Sequence, residues 1–299
     1  MHRAGIVEGL FLSSGVVDSG MKTQDQLLAA AEILRRKYNY SDYLHLKIMP
    51  GAERAQVEQA MLLADRVSIN LEAPNTERLS QLAPKKIFDD ELLTPLRWMQ
   101  EIRSQQSPHK VWRPAGERAR GRGRWPSSVT QFVVGGVDES DLELLTATEY
   151  LYAQTGLARV YFSAFHPIAD TPFENRAASP PEREHRLYQA SFLLRDYGFG
   201  LEELPFQAAE NLPLEIDPKL AWAQRNLRQQ PIELNTARRE ILLRVPGIGP
   251  KSADVILRAR RQNKLRDLSQ LSKLGLRLKH AEAFILLDGK APARQLRLF

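Results

Sequence analysis

The sequence predicts an α/β fold in which a partial parallel β/α barrel is followed by a small all-α domain. Short β-type segments alternate with amphipathic helical segments across residues 1–200, an order typical of βαβ units and a parallel sheet. A Pro-rich stretch and one short helical segment occupy residues 201–230, which predicts a linker. Residues 231–299 contain helical segments joined by glycine turns, and we expect them to form the separate all-α domain.

The predicted strands and helices follow one another along the first 200 residues. The strand-like segments are 9–14, 43–49, 66–72, 130–136 and 159–165. The clearest helical segments are 24–37, 53–64, 139–155 and 182–197. The last two helical segments are bounded by Gly156 and Gly198, and glycine commonly follows the end of a helix. This alternation indicates a parallel sheet that is either open or closed into a barrel.

Two of the predicted strands alternate between apolar and polar residues. The apolar positions, expected on a face covered by helices, are Leu44, Leu46, Ile48, Val67, Ile69 and Leu71. The polar positions between them are Tyr43, His45, Lys47, Ser68, Asn70 and Glu72. Such a polar face is unsuited to dry packing because unpaired buried charges are costly, so we predict a ligand cavity at the carboxyl ends of the strands, with His45, Lys47 and Glu72 as candidates. An exposed sheet edge or a structural Lys47–Glu72 ion pair is the alternative.

The stretch LLRVPGIGPKSADVIL, residues 242–257, joins two helical segments through a turn. Gly247 and Gly249 permit backbone conformations that other residues avoid, and Pro250 suits the first turn of a new helix. Exposed N–H groups at that helix N-terminus, beside the ammonium of Lys251, predict an anion site, most simply for phosphate. A tight turn without a ligand is the alternative.

Positive charge is concentrated around this turn. The whole chain has a formal net charge of +6, whereas residues 231–299 contain 15 Lys and Arg against 6 Asp and Glu, a net of +9. Residues 1–230 therefore carry a net charge of −3. A basic region of this kind favours a polyanionic partner.

The segment NTARREILLRVPGIGPKSA, residues 235–253, resembles the helix-hairpin-helix motif of DNA-binding and repair proteins. The resemblance implies binding to a DNA or RNA backbone phosphate without recognition of the bases. The residues to which this role is carried over are Gly247, Ile248, Gly249 and Lys251. Residues 267–285, with Gly275 at their turn, resemble a degenerate second hairpin. A purely structural or protein-binding hairpin is the alternative.

The composition excludes several classes of site. The 299 residues include no cysteine, which excludes disulfides, thiolate nucleophiles and Cys-ligated metals for this chain. The six histidines are scattered, with no pair at metal-ligand spacing, so we expect no metal site. No 18-residue apolar run and no signal-peptide pattern occurs, so we expect a cytoplasmic protein without a membrane partner.

The order of the predicted elements also resembles the partial barrel of radical S-adenosylmethionine (SAM) proteins. The resemblance is closest to a family of radical SAM proteins assigned to DNA modification or repair, which carry a C-terminal helix-hairpin-helix. It spans nearly the whole chain and rests on the stretches EGLFLSSGV, YLHLKIMPGA, ADRVSINLE, VVGGVDESDL, SPPEREHRLYQASFLLRDYGF and DPKLAWA. It implies SAM and a [4Fe–4S] cluster as cofactors, DNA as a partner, and a repair partner similar to a uracil-DNA glycosylase.

The same resemblance implies cofactor-binding residues. The turn that receives the SAM amino group is matched by Ser13, Ser14 and Gly15. The polar positions that face its ribose and carboxylate are matched by Ser68 and Asn70. A glycine motif on the fifth strand of that family is matched in part, by Gly136 and Glu139. Phe132 stands where that motif has its first glycine.

The cluster-binding segment of that family has no counterpart here. Its Cys-x-x-x-Cys-x-x-Cys follows the first strand, whereas this chain begins at what would be the second strand and contains no cysteine. We therefore expect a truncated form, with a split product or a second polypeptide as the alternatives. In a full-length form the resemblance implies SAM cleavage to a 5′-deoxyadenosyl radical, which abstracts hydrogen from a substrate that we expect to be a nucleotide in DNA.

Two long segments lie where they could complete the mouth of the barrel. Residues 166–181 follow the last predicted strand and are long enough to be functional. Residues 109–128 contain six Lys and Arg together with Trp112 and Trp125, a composition typical of nucleic-acid binding. A solvated insertion without a core of its own is the alternative for this second segment.

Three functions remain open. The first is a DNA-directed radical SAM enzyme in a shortened form, and the second is a DNA-binding accessory protein with an inactive barrel. The third is a helix-hairpin-helix glycosylase or lyase. Against the third, the chain lacks the glycosylases' Asp-containing segment at its usual distance beyond the hairpin, and Asp267 lies in a different context.

Overall fold

The computed structural model describes residues 8–106, 124–276 and 280–292. The chain divides into two compact units. The first comprises Met1–Glu139 with Thr146–Pro180, and the second comprises Ser140–Leu145 with Pro181–Phe299. The domain boundaries predicted at residues 200 and 230 remain predictions, because compact units need not coincide with domains that fold alone.

The first unit is built on a parallel sheet of five strands. They are β1 (Gly9–Leu12), β2 (Tyr43–Lys47), β3 (Arg66–Ser68), β4 (Ser127–Val134) and β5 (Arg159–Ala164). Their order in the sheet is their order in the chain, so each crossover leads to the adjacent strand. The predicted parallel α/β sheet is therefore confirmed. Among the described residues β1 and β5 each pair with one neighbour only, so closure into a barrel stays a proposal.

Helices connect these strands. They are α1 (Gly20–Glu32), α2 (Arg54–Leu63), α3 (Thr76–Leu82), α4 (Thr94–Gln105) and α5 (Asp141–Thr155). A π-helical segment, Ile33–Lys37, extends α1, and a second one, Phe88–Leu93, precedes α4. The three helical segments predicted between the strands are found, as α1 with its π-helical extension, α2 and α5. The boundaries of α2 and α5 differ from the predicted ones by no more than two residues. The helices α3 and α4 were not among the predicted segments.

The alternation of the central strands is confirmed. The apolar side chains Leu44, Leu46, Ile48, Val67, Ile69 and Leu71 are at most 1% exposed. The polar residues between them are half-buried or exposed, apart from Ser68, which is buried. Parallel pairing sets Phe11 beside His45 and Lys47 beside Ser68, which brings these residues onto the face opposite the leucines.

The second unit is mainly helical. Its helices are α6 (Pro181–Asp196), α7 (Pro218–Asn226), α8 (Arg239–Leu242), α9 (Pro250–Gln262) and α10 (Leu268–Lys273). The expected helical domain also contains two short strands, β6 (Ile232–Glu233) and β7 (Ile285–Leu286), which pair in parallel. The Glu233 carboxylate accepts the backbone N–H of Gly289 at 2.7 Å and so fastens the turn after β7.

One hydrophobic cluster forms the core of this unit. It includes Ala223 and Leu227 from the end of α7, Leu242 of α8, Ile256 of α9 and Leu271 of α10. The short helix expected after the Pro-rich stretch is therefore α7, and it packs against the hairpin helices. None of the helices among the described residues is both long and apolar enough to cross a bilayer.

The predicted second hairpin lies only in part within the described residues. The helix α10 is followed by Gly275, whose φ of +78° lies in the left-handed region, as expected at a hairpin turn. Residues 277–279 lie outside the described part of the chain. Beyond them the chain makes a 3-10 turn, Glu282–Phe284, and enters β7.

Candidate nucleic-acid interface

The first hairpin turns between α8 and α9 at residues 245–250. Gly247 is exposed and has a φ of +81°, a conformation that favours glycine. Ile248 is completely buried in the core of the second unit, and its N–H donates to the Val245 carbonyl at 3.1 Å. The side chain of Ile248 therefore anchors the hairpin, while Gly247 before it is exposed and Gly249 after it is half-buried. Gly249 is the N-cap of α9, and Pro250 follows in its first turn.

Several backbone N–H groups at this turn remain available to a ligand. Within the described residues, the N–H groups of Gly247, Gly249, Lys251 and Ser252 have no acceptor. A helix N-terminus leaves such donors unsatisfied and carries a positive partial charge. Ser252 was missed by the sequence interpretation, although its position in the first turn of a helix could have indicated it. The turn is therefore a concentrated set of donors for an anion.

The cation next to these donors is free of carboxylate partners. Lys251 is exposed and forms no ion pair with any described residue. Asp254, one turn further along α9, is bound instead to Arg239 at 2.8 Å. Lys251 shares a shallow groove along α9 with Arg258 and Arg261, which are also exposed. The positive charge therefore continues along the helix beyond the hairpin.

A buried lysine supports the hairpin from within the second unit. Lys219 of α7 is 8% exposed, and its Nζ donates to the carbonyl of Ile248 at 2.6 Å. The ammonium also lies 4.5 Å from the centre of the Tyr197 ring. Burial is the main cause that lowers the pKa of Lys219 to about 7; the charge of Asp217 opposes the shift, and that of Arg244 contributes to it. The sequence interpretation missed Lys219, since no local pattern marks it.

The glycine at the helix N-cap also contacts Tyr197. A Cβ placed on Gly249 would lie 3.2 Å from the Tyr197 hydroxyl, and its φ of −98° suits any residue. At position 249 glycine therefore allows close packing on Tyr197. At position 247 glycine instead allows the left-handed backbone conformation. The backbone carbonyl of Tyr197 accepts from Arg244 at 3.0 Å. Arg244 also forms two hydrogen bonds with the Glu203 carboxylate, at 2.9 and 2.7 Å, and lies 3.9 Å from the centre of the Phe199 ring.

The residues predicted to bind SAM lie at or just after the carboxyl ends of β1, β3 and β4 in the first unit. Ser13, Ser14 and Gly15 follow β1 and are exposed, and the Ser14 hydroxyl donates to the Gly15 carbonyl at 2.8 Å. Asn70 is half-buried and has no hydrogen-bond partner among the described residues. The buried Ser68 hydroxyl lies 2.8 Å from His45 Nε2.

The two other predicted positions have structural contacts. Glu139 is buried, and its carboxylate accepts from the backbone N–H groups of Gly135 and Val137. A Cβ on Gly136 would lie 3.2 Å from Leu82 Cδ1, so glycine permits close packing there. Glu139 therefore holds the loop after β4 in shape.

The cavity candidates differ in their contacts. Glu72 is bound to Lys86 at 3.0 Å, so the alternative Lys47–Glu72 pair is not formed. Lys47 is half-exposed and has no ion-pair partner among the described residues. His45 stacks against Phe11, with ring centres 4.4 Å apart. Burial, together with the charges of Arg66 and Lys47, lowers the pKa of His45 to about 4.

The two predicted loops differ in what the structure describes. Most of segment 109–128 lies outside the described residues. Segment 166–181 is described, and its Arg176 forms two hydrogen bonds with the Asp138 carboxylate, at 3.1 and 2.9 Å. This pair ties the loop after β5 to the loop after β4.

The comparison with protein families finds a match described as "Helix-hairpin-helix motif" over residues 228–278. The matched segment contains α8, the hairpin, α9 and α10. None of the curated proteins compared with the chain matches it. The matched residues include the donors and Lys251 at the start of α9, and the motif is consistent with DNA binding.

Proposed function

We propose that this protein binds the sugar–phosphate backbone of DNA through residues 247–252, without preference for base sequence. One observation carries the proposal: unsatisfied N–H groups and an unpaired lysine meet at the N-terminus of α9. The helix-hairpin-helix match and the net charge of +9 over residues 231–299 support it.

The geometry of the hairpin suits a phosphate group. Phosphate oxygens accept from the N–H groups of Gly249 and Lys251, and the partial positive charge of the helix end stabilises the anion. The ammonium of Lys251 adds a full charge beside them. Contacts of this type position a protein on DNA but carry no sequence information. Arg258 and Arg261 continue the basic surface toward neighbouring phosphates.

The salt dependence of duplex binding tests this proposal. Lys251→Ala is compared with the wild type and with Lys22→Ala, a control whose side chain is 72% exposed in the first unit. Fluorescence anisotropy is measured with two duplexes of unrelated sequence over a range of KCl concentrations. Loss of one phosphate contact lowers the slope of log K against log salt by about 0.9. A slope equal to that of Lys22→Ala, or a strong preference for one duplex, contradicts the proposal.

A second proposed function is a DNA modification or repair protein of radical SAM type, with a repair partner similar to a uracil-DNA glycosylase. The observation in its favour is the sequentially ordered parallel sheet, with polar residues after its carboxyl ends. In this proposal the sheet is that of a partial barrel. DNA is the substrate, and the hairpin binds the sugar–phosphate backbone of that DNA.

The residues present fit the cofactors of that second function only in part. The Ser13–Gly15 turn and Asn70 offer free groups for SAM, whereas Ser68 is bound to His45 and Glu139 to its own loop. The chain has no cysteine, so a [4Fe–4S] cluster finds no thiolate ligand in it. We therefore derive no catalytic step for these 299 residues. In this proposal the cluster ligands come from another polypeptide segment.

The glycosylase or lyase alternative gains no support. Asp267 is the N-cap of α10, where its carboxylate accepts from the Gln270 N–H at 3.0 Å and from the Ser269 hydroxyl. These contacts give Asp267 a structural role at the start of a helix.

A further inference from the structure

A second surface with nucleic-acid chemistry lies on the sheet of the first unit. The parallel register brings alternate residues of five strands onto the face opposite the buried leucines. Its large side chains, named here the basic aromatic face, are Phe11, Tyr43, His45, Lys47, Arg66, Arg159 and Tyr161. The hairpin proposal does not use any of them.

The charged residues within the strands of this face are all positive. Lys47, Arg66 and Arg159 lie on it, and none of the strand positions that share it holds Asp or Glu. Arg66 contacts neutral groups: its Nε donates to the Ser127 hydroxyl at 3.1 Å and its Nη1 to the Tyr161 hydroxyl at 3.3 Å. Two carboxylates border the strands of this face, and both are paired: Glu72 with Lys86 and Asp65 with Arg35. The face therefore keeps an excess of positive charge, which attracts anionic ligands.

The aromatic rings on the same face are open to solvent. Phe11 is 57% exposed and Tyr43 is 42% exposed, which is high for large side chains in strands. Phe11 is already stacked on His45, with an angle of 32° between the ring planes. His45 is neutral at pH 7, because burial and the neighbouring cations lower its pKa to about 4. Exposed rings beside cations are the groups on which unpaired bases stack.

We propose that the basic aromatic face binds single-stranded nucleic acid. Bases stack on Phe11 and Tyr43, and the phosphates between them lie near Lys47 and Arg66. A duplex is a poor ligand for this face, because its bases are paired and their flat surfaces are covered by neighbouring bases. The proposal goes beyond the duplex contact of the hairpin and does not depend on it.

The test uses the full chain and a fluorescein-labelled thymidine 15-mer. The double variant Phe11→Leu, Tyr43→Leu keeps apolar bulk but removes both rings, and circular dichroism with a thermal melt checks its fold. We expect the dissociation constant for the 15-mer to rise about 10-fold to 100-fold. Tyr38→Ala is the matched control, since Tyr38 is 66% exposed and lies outside the strands. A uridine 15-mer compares RNA with DNA.

The hairpin and the sheet are separated by a second measurement. Duplex affinity should be unchanged in the double variant and reduced in Lys251→Ala. Affinity for the 15-mer should be reduced in the double variant and unchanged in Lys251→Ala. Lys47→Gln should lower the salt slope for the 15-mer only. If a folded double variant binds the 15-mer as the wild type does, or if Tyr38→Ala loses as much affinity, the proposal is overturned. If the double variant lost duplex affinity while Lys251→Ala kept it, the duplex contact would lie on the sheet, and the hairpin proposal would be contradicted.

Discussion

Lys219 Nζ donates a hydrogen bond of 2.6 Å to the carbonyl oxygen of Ile248. In a trans peptide this carbonyl and the N–H of the next residue, Gly249, point in opposite directions. The buried ammonium thus holds one end of the peptide group whose other end is a proposed phosphate donor. A positive charge at the carbonyl polarises the peptide and strengthens that donor. Lys219 is therefore a positioning residue for the hairpin.

This relationship predicts that duplex affinity depends on pH near neutrality. The pKa of Lys219 is about 7, and a bound phosphate favours its protonated form, so affinity should fall as pH rises from 6 to 8.5. The measurement is duplex anisotropy across that range at constant ionic strength. Lys219→Met should bind more weakly than the wild type at pH 6 and lose this dependence. Parallel profiles for the two proteins would remove Lys219 from the site.

The stability of the free protein should change in the opposite direction. The ordinary pKa of lysine is 10.5, so unfolding takes up a proton between pH 7 and 10.5. The free energy of unfolding should therefore increase as pH rises through this range, so the folded protein becomes more stable. Thermal melts of the wild type and Lys219→Met across these pH values measure it. Tyr197, Asp217 and Arg244 are the neighbouring charged or titratable groups, and both proteins contain them.

Gly249→Ala should weaken duplex binding about fivefold, roughly 1 kcal/mol, by pushing the hairpin away from Tyr197. A second cause to be separated from this one is a side chain that blocks the approach of the phosphate. Tyr197→Phe separates the two causes, because it removes the hydroxyl 3.2 Å from the new Cβ. We expect the double variant to bind like Tyr197→Phe alone. Persistent loss in the double variant would favour the blocked phosphate.

Arg244→Met should destabilise the second unit by about 2–4 kcal/mol, because it leaves the Glu203 carboxylate and two backbone carbonyls without their donor. Thermal unfolding measures the loss. Arg225→Met is the control, since Arg225 is an exposed residue of α7 without an ion pair among the described residues. Equal melting temperatures for the two variants would show that the contacts of Arg244 contribute little.

Calorimetry with SAM or S-adenosylhomocysteine tests the strand ends of the first unit. We expect weak binding, which Ser68→Ala with Asn70→Ala should abolish. Ser104→Ala, on the exposed side of α4, serves as the control. Equal affinity of the double variant and the wild type would exclude Ser68 and Asn70 from a cofactor site.

The elements with local signals could be predicted from the sequence. Strict alternation in β2 placed Leu44 and His45 on opposite faces, and the glycines and proline at 247–250 placed the hairpin. Lys219 could not be predicted, because its partner is 29 residues away and a buried lysine has no periodic pattern. The pairing of Glu72 with Lys86 was missed for the same reason. The strands β6 and β7 have two residues each, too few for an alternation to appear.

The pairing of β6 with β7 also sets the order in which the chain can fold during synthesis. In the first unit each strand pairs with its predecessor, so the sheet can grow one strand at a time as the chain emerges. In the second unit Ile232 can pair only after Ile285 has been synthesised, and α8, the hairpin, α9 and α10 all lie between them in the chain. On the ribosome, the hairpin should therefore gain its final shape only after residue 286 has been made, when the sheet of the first unit is already complete.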